Sequence, residues 1–123
     1  MSTFTIFQDH EGTSIALRLN NISTACVDAR SNPGCVSIKS DDDAKFYQVR
    51  GSLKDLEDQL TAIGKKLVHY NFEDRKGFFV ADKVVHFFEV KRSVTGVFVM
   101  GDRTAINTPF AEFHAQMEAA LGA

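Results

Sequence analysis

The sequence contains no tryptophan, only two prolines and only two cysteines in 123 residues. Two thiols cannot build the disulfide framework of a small secreted fold. A chain of this length needs none, because it buries roughly two thirds of the surface that its unfolded form exposes. There is no surplus of positive charge either. Lys and Arg number 14 against 16 Asp and Glu, a net charge of −2, which excludes a strongly basic nucleic-acid coat and leaves room only for a local basic stripe. Apolar runs stop after a few residues, far short of the roughly 20 that span a bilayer, so no membrane partner is expected. The first residues, Met1-Ser2-Thr3-Phe4, offer no basic or apolar leader region, and a cytoplasmic location with reduced thiols is the expectation. The G-x-S-x-G, P-loop, H-E-x-x-H and G-x-G-x-x-G patterns are all missing, so neither an enzyme nor a cofactor is expected. What is present is ordinary globular material, 44% apolar and 24% charged, enough for one folded body.

The chain overlays on itself at a shift of 62. Leu17–Ile22 falls on Phe79–Val84, and Asp28–Gly34 falls on Val90–Gly96 with Arg, Ser and Gly at matching places. After a five-residue deletion in the second copy, Val49 falls on Ile106, Leu53 on Phe110, Leu56 on Phe113 and Leu60 on Met117. A pattern sustained over about 60 residues is the signature of an internal repeat. The expected architecture is α+β: two tandem β-β-β-β-α repeats, residues 1–64 and 65–123, packed as one pseudo-symmetric domain without a flexible linker.

The strand signals, some of them short, fall at Phe4–Phe7, Ser14–Leu19, Thr24–Arg30, Cys35–Lys39 and Phe46–Val49, and again at Leu67–Phe72, Gly77–Ala81, Val84–Arg92, Val97–Met100 and Thr104–Asn107. Ser14–Leu19 alternates apolar and polar residues with the period of a half-buried strand. Ser31-Asn32-Pro33-Gly34 suits a tight reversal. The first helix starts at Ser52, whose hydroxyl caps the first turn with Asp55 beside it. It carries the stripe Leu53, Leu56, Leu60, Ile63 and stops at Gly64. The second helix is expected to use Thr108 as its cap and Pro109 as its first residue, with Phe110, Phe113, Met117, Ala120 and Leu121 as its stripe.

The segment Phe87-Phe88-Glu89-Val90-Lys91-Arg92-Ser93-Val94-Thr95-Gly96-Val97-Phe98-Val99, set within tandem β4α units, resembles the PUR-repeat and Whirly-like group of single-stranded nucleic-acid binders. That resemblance implies an intertwined pair of units and a partner that is single-stranded DNA or RNA. It departs from the group in carrying Val97, Val99 and Met100 where PUR repeats place basic residues, which implies a diluted nucleic-acid face.

Single-strand binding requires cations to track phosphates and flat rings to stack bases. The candidates are Arg30, Lys39 and Arg50 in the first unit and Phe87, Lys91, Arg92 and Arg103 in the second. The second unit is the better electrostatic choice: residues 1–62 carry six cations and nine anions, net −3, and residues 63–123 carry eight and seven, net +1. It also holds eight of the eleven phenylalanines. Phe78 and Phe79 must point to opposite faces, as must Phe87 and Phe88, so the sheet there is apolar on both sides. It is either covered twice or meets a partner. The competing reading is therefore a small protein-binding regulator or assembly module, for example a phage or bacterial inhibitor, that docks on a protein through an apolar sheet face; a homodimer fits the same pattern.

No metal is expected. The histidines His10, His69, His86 and His114 show no ligand spacing, and Asp41-Asp42-Asp43 reads as a solvated loop. In a hairpin around Ser31–Gly34, Cys26 faces Lys39 and Cys35 faces Arg30. That places the thiols too far apart to bridge, so both are expected to be reduced and at least partly buried.

Overall fold

Phe78 and Phe79 are neighbours on one strand, point to opposite faces, and are both fully buried. The sheet that carries them is therefore covered twice. The computed structural model describes residues 4–41, 45–99 and 102–122, and its ten strands form three antiparallel sheets. In chain order these are β1 (Thr5–Gln8), β2 (Ser14–Leu17), β3 (Ile22–Val27), β4 (Cys35–Ser40), β5 (Phe46–Arg50), helix α1 (Leu53–Ala62), β6 (Leu67–Phe72), β7 (Arg75–Val80), β8 (Val84–Lys91), β9 (Val94–Val99), β10 (Asp102–Ile106) and helix α2 (Phe110–Leu121). Short 3-10 turns at Leu19–Asn21 and Ala81–Lys83 lead into β3 and β8.

The central sheet has the order β5-β4-β3-β7-β6. On one face, Phe78 and Val80 join Ile22, Ala25, Val36, Ile38 and Val49 in a core closed by Leu56 and Leu60 of α1. Phe7, Ile15 and Leu17 of the β1-β2 hairpin pack on the same core. On the other face, Phe79 and Ala81 join Cys26, Val68 and Tyr70 beneath Val97, Val99 and Ile106 of the sheet β10-β9-β8, with Phe113 and Met117 of α2. Tyr70 stacks on Phe79 at 4.6 Å, and Phe113 meets Phe79 edge-on. The molecule is thus an α+β sandwich of three sheets with a helix on each side. Gly77 permits the tightest approach in it, since a Cβ there would lie 2.3 Å from the Ala25 carbonyl oxygen.

Several expectations change. Five strands, not four, precede each helix, so the order of elements recurs along the chain. The pairing does not recur: β3 pairs with β7, whereas no pairing of β2 with β8 is present among the described residues. The central sheet therefore takes three strands from the first half and two from the second. Lys39, expected at the surface, is fully buried. Strand β4 is enclosed on both faces, and the Lys39 Nζ donates to the Ser40 carbonyl at 3.4 Å among its contacts. The β3-β4 register sets Cys26 against Ser37, not Lys39, because β3 ends at Val27 and leaves residues 28–34 as the turn. Cys26 and Cys35 are free and buried. Ser52 does cap α1: its Oγ accepts from the Asp55 amide at 3.0 Å and its own amide donates to the Asp55 carboxylate. Pro109, rather than Thr108, occupies the cap position of α2, while the Thr108 carbonyl accepts the Thr95 hydroxyl at 2.6 Å. Asp42, Asp43 and Met100 lie outside the described residues. Among those described, no helix is long and apolar enough to cross a membrane.

Candidate nucleic-acid interface

Strand alternation splits the β8-β9-β10 sheet into an inner and an outer face. Phe87, Val97 and Thr104 stand opposite one another across the three strands and face inward. Two rows face outward: His86, Phe98 and Arg103, and then Phe88, Gly96 and Ala105. The His86 and Phe98 rings stack at 4.9 Å and 11°, and the Phe88 ring follows 6.3 Å from His86. Phe88 lies flat across the next strand because residue 96 has no side chain; a Cβ there would fall 2.6 Å from Phe88 Cζ. The Arg103 guanidinium sits over the same ring, 5.3 Å from its centroid, at cation–π distance. His86 and Arg103 are exposed, and Phe88 and Phe98 half-buried.

At one end of this sheet, the turn between β8 and β9 exposes Lys91 and Arg92. Neither makes an ion pair or hydrogen bond among the described residues. The sheet thus combines an aromatic surface, a cation held on it and two unpaired cations at its margin. Three of the sequence candidates lie on this one sheet, Lys91 and Arg92 at its β8-β9 turn and Arg103 in the outward row of His86 and Phe98, toward the other end. Phe87 does not join them as a stacking platform: it faces the core, 5.0 Å from Phe113 and 5.3 Å from Phe110, and Phe88 takes the outer position. Arg50 stands elsewhere, on edge strand β5, donating to the His10 carbonyl at 3.3 Å. Arg30 is exposed in the β3-β4 turn, beside Arg75 and Phe46. Alternation put Phe87 and Phe88 on opposite faces without telling which is outward, and sequence reasoning did not single out His86 and Phe98 for this face. The signal for this face was a glycine within a strand facing an aromatic, which marks close approach over the sheet.

Cys26 and Cys35 are free thiols in buried positions. Burial pushes the Cys26 thiol up from its ordinary range, so it stays protonated near neutral pH. Among the described residues no three His, Cys, Asp or Glu side chains cluster as a metal site would require.

A solved structure similar to this chain is the LytTr DNA-binding domain of a Bacillus cereus protein described as a methyl-accepting/DNA response regulator. The TM-score is 0.63 and the identity 10%, over 100% of both chains. No protein-family model matches the chain, and no curated protein sequence matches it. The likeness shows the fold and overturns the PUR-repeat and Whirly-like assignment. The PUR-like segment is a local hairpin pattern, Phe87–Val99, whereas the fold is set by the pairing of β3 with β7 across the two halves.

Proposed function

We propose that this chain is a nucleic-acid-binding domain that contacts its target through the outer face of the β8-β9-β10 sheet. The observation that carries the reading is Arg103 seated over the Phe88 ring, itself laid on Gly96, beside the stacked His86 and Phe98. The exposed His86 ring and the half-open Phe88 and Phe98 rings offer stacking to unpaired bases, and Arg103 on that surface with Lys91 and Arg92 at its margin offers phosphate contacts, so the target we favour is single-stranded DNA or RNA. The shared fold with a domain titled DNA-binding adds support for a nucleic-acid target in general. The test is equilibrium binding to single- and double-stranded oligonucleotides of one sequence at several salt concentrations. Tighter, salt-dependent binding to the single strand is expected; a preference for the duplex rejects the strandedness.

A second reading, docking on a protein or on another copy of the chain, draws on Val85 and Val90. They stand at the two register shifts of edge strand β8 and are 57% and 50% exposed. Apolar residues on an open edge suit a protein contact. This reading predicts an association insensitive to salt and to Arg103→Ala but weakened by Val85→Lys. The recurring element order further supports reading residues 1–64 and 65–123 as diverged copies of one unit, joined in one body by the shared central sheet.

A further inference from the structure

On the face of the central sheet that bears Lys39, next to that buried side chain, residues of β3, β4 and β5 line a cleft of about 250 Å³. Its floor is one row of the sheet, Cys26, Ser37 and Gln48, which stand opposite one another on β3, β4 and β5. The wall above is the turn after β3, and that turn is fixed in several places. The Asn32 amide donates to Gln48 Oε1 at 2.8 Å, the Ala29 amide to Asp74 at 3.0 Å, and the Arg30 amide to Asp28 at 2.9 Å. The opposite side is the Phe46 ring, 40% exposed. Arg30 and Arg75 stand at the rim, and only Arg75 is partly engaged, 3.5 Å from Asp28.

The lining has unspent donors. Among the described residues the Ser37 hydroxyl and the Gln48 Nε2 amide have no partner, and the Arg30 guanidinium has none. A preformed cleft with free donors, a surplus cation and an open aromatic ring suits a ligand that is anionic, rich in acceptors and flat on one side. Its volume of about 250 Å³ lies just below the roughly 300 Å³ at which drug-sized pockets begin, a size that suits one nucleotide unit and not two. We propose that this cleft binds a single nucleotide, with the base against Phe46, base or sugar acceptors on Ser37 and Gln48, and the phosphate on Arg30 and Arg75. The nucleotide has two possible sources, one unit of a bound strand or a free mononucleotide. Only the strand form rests on the nucleic-acid reading above.

Amide chemical shifts of the full chain separate the outcomes, with adenosine monophosphate, adenosine, inorganic phosphate and a short single-stranded oligonucleotide as probes. Saturable shifts of Asn32, Ser37 and Gln48 with adenosine monophosphate are expected, at least about 10-fold tighter than with adenosine or phosphate alone. Phe46→Ala weakens it by about 10-fold, the lower part of the range for losing a stacking contact, and Arg30→Ala by about 10-fold through loss of a phosphate contact. Both replaced side chains are exposed, and unchanged shifts elsewhere verify the fold. If the oligonucleotide moves the same amides and Arg30→Ala reduces that effect, the source is a strand. If it moves only outer-face amides such as Ala105, the cleft serves a free nucleotide. If no oligonucleotide binds but adenosine monophosphate does, the proposed function falls and the cleft stands. Equal binding of phosphate and adenosine monophosphate, or no cleft shifts with any probe, overturns the inference.

Discussion

Arg103 and Phe88 meet on the outer face of the β8-β9-β10 sheet, the guanidinium 5.3 Å from the ring centroid. The residue next to Phe88, Phe87, meets Phe113 on the other face at 5.0 Å. One step along the strand thus separates a surface aromatic from a core aromatic, and the two give opposite responses to the same substitution. Phe88→Ala should cost about 1–3 kcal/mol of oligonucleotide binding and, since the half-buried ring packs on Gly96 and under Arg103, about 1 kcal/mol of stability. Phe87→Ala should cost about 2–3 kcal/mol of stability, below the figure for a fully buried phenylalanine because Phe87 is half-buried, with little direct effect on binding. Urea unfolding and fluorescence anisotropy on the two variants check the contrast.

The two close-approach glycines should differ in the same measurement. At Gly77 an added Cβ meets backbone, the Ala25 carbonyl, at 2.3 Å. Gly77→Ala should therefore cost about 3 kcal/mol, at the high end of overpacking effects. At Gly96 the Cβ meets the Phe88 ring, which can swing outward. Gly96→Ala should cost about 1 kcal/mol while lifting Phe88 from its seat and weakening binding. Equal stability losses would show that the ring is as immobile as the backbone.

The raised Cys26 thiol and its burial predict slow alkylation. At pH 8, site-resolved mass spectrometry should find Cys26 modified at least about 100-fold more slowly in folded than in urea-unfolded protein, since reaction needs both exposure and thiolate. Rapid labelling in the folded protein would place the thiol at an open surface.

The shared sheet predicts that neither half folds alone. Residues 1–64 lose Phe78 and Val80 from the core beneath α1, together with the Phe78 carbonyl that accepts the Thr24 hydroxyl at 2.8 Å. Residues 65–123 lose β3, on which β7 pairs. Each half expressed separately should show no cooperative thermal transition, and a sharp transition in either would contradict the shared core.

Local patterns in the chain announced the local structure. Of the two expected helix stripes, Leu56 and Leu60 and Phe113 and Met117 are buried, whereas Ile63, Phe110 and Leu121 at the stripe ends are exposed, and Ser52 with Asp55 forms the cap that their spacing suggests. The partition into sheets was not legible, because the pairing of β3 with β7 joins residues as far apart as Thr24 and Phe79 and leaves no mark in either segment. Lys39 misled for the same reason. Alternation marks one face of β4 as apolar, through Val36 and Ile38, but cannot tell that the face bearing Lys39 is covered as well. For Phe87 and Phe88, alternation placed them on opposite faces, and only the position of α2 decided which one is packed away.

The most direct test of the central claim is the salt dependence of affinity for a single-stranded oligonucleotide, measured on the wild type and on the variant Lys91→Glu, Arg92→Glu, Arg103→Ala. Each phosphate neutralised on a single strand contributes about −0.7 to the slope of log affinity against log salt, so three cations give a wild-type slope of about −2. The variant should bind far more weakly with a slope near zero, while its unfolding transition stays within about 0.5 kcal/mol of the wild type, because all three residues are exposed. A wild type with no salt-dependent affinity for any oligonucleotide, or a variant with an unchanged slope, would contradict the account.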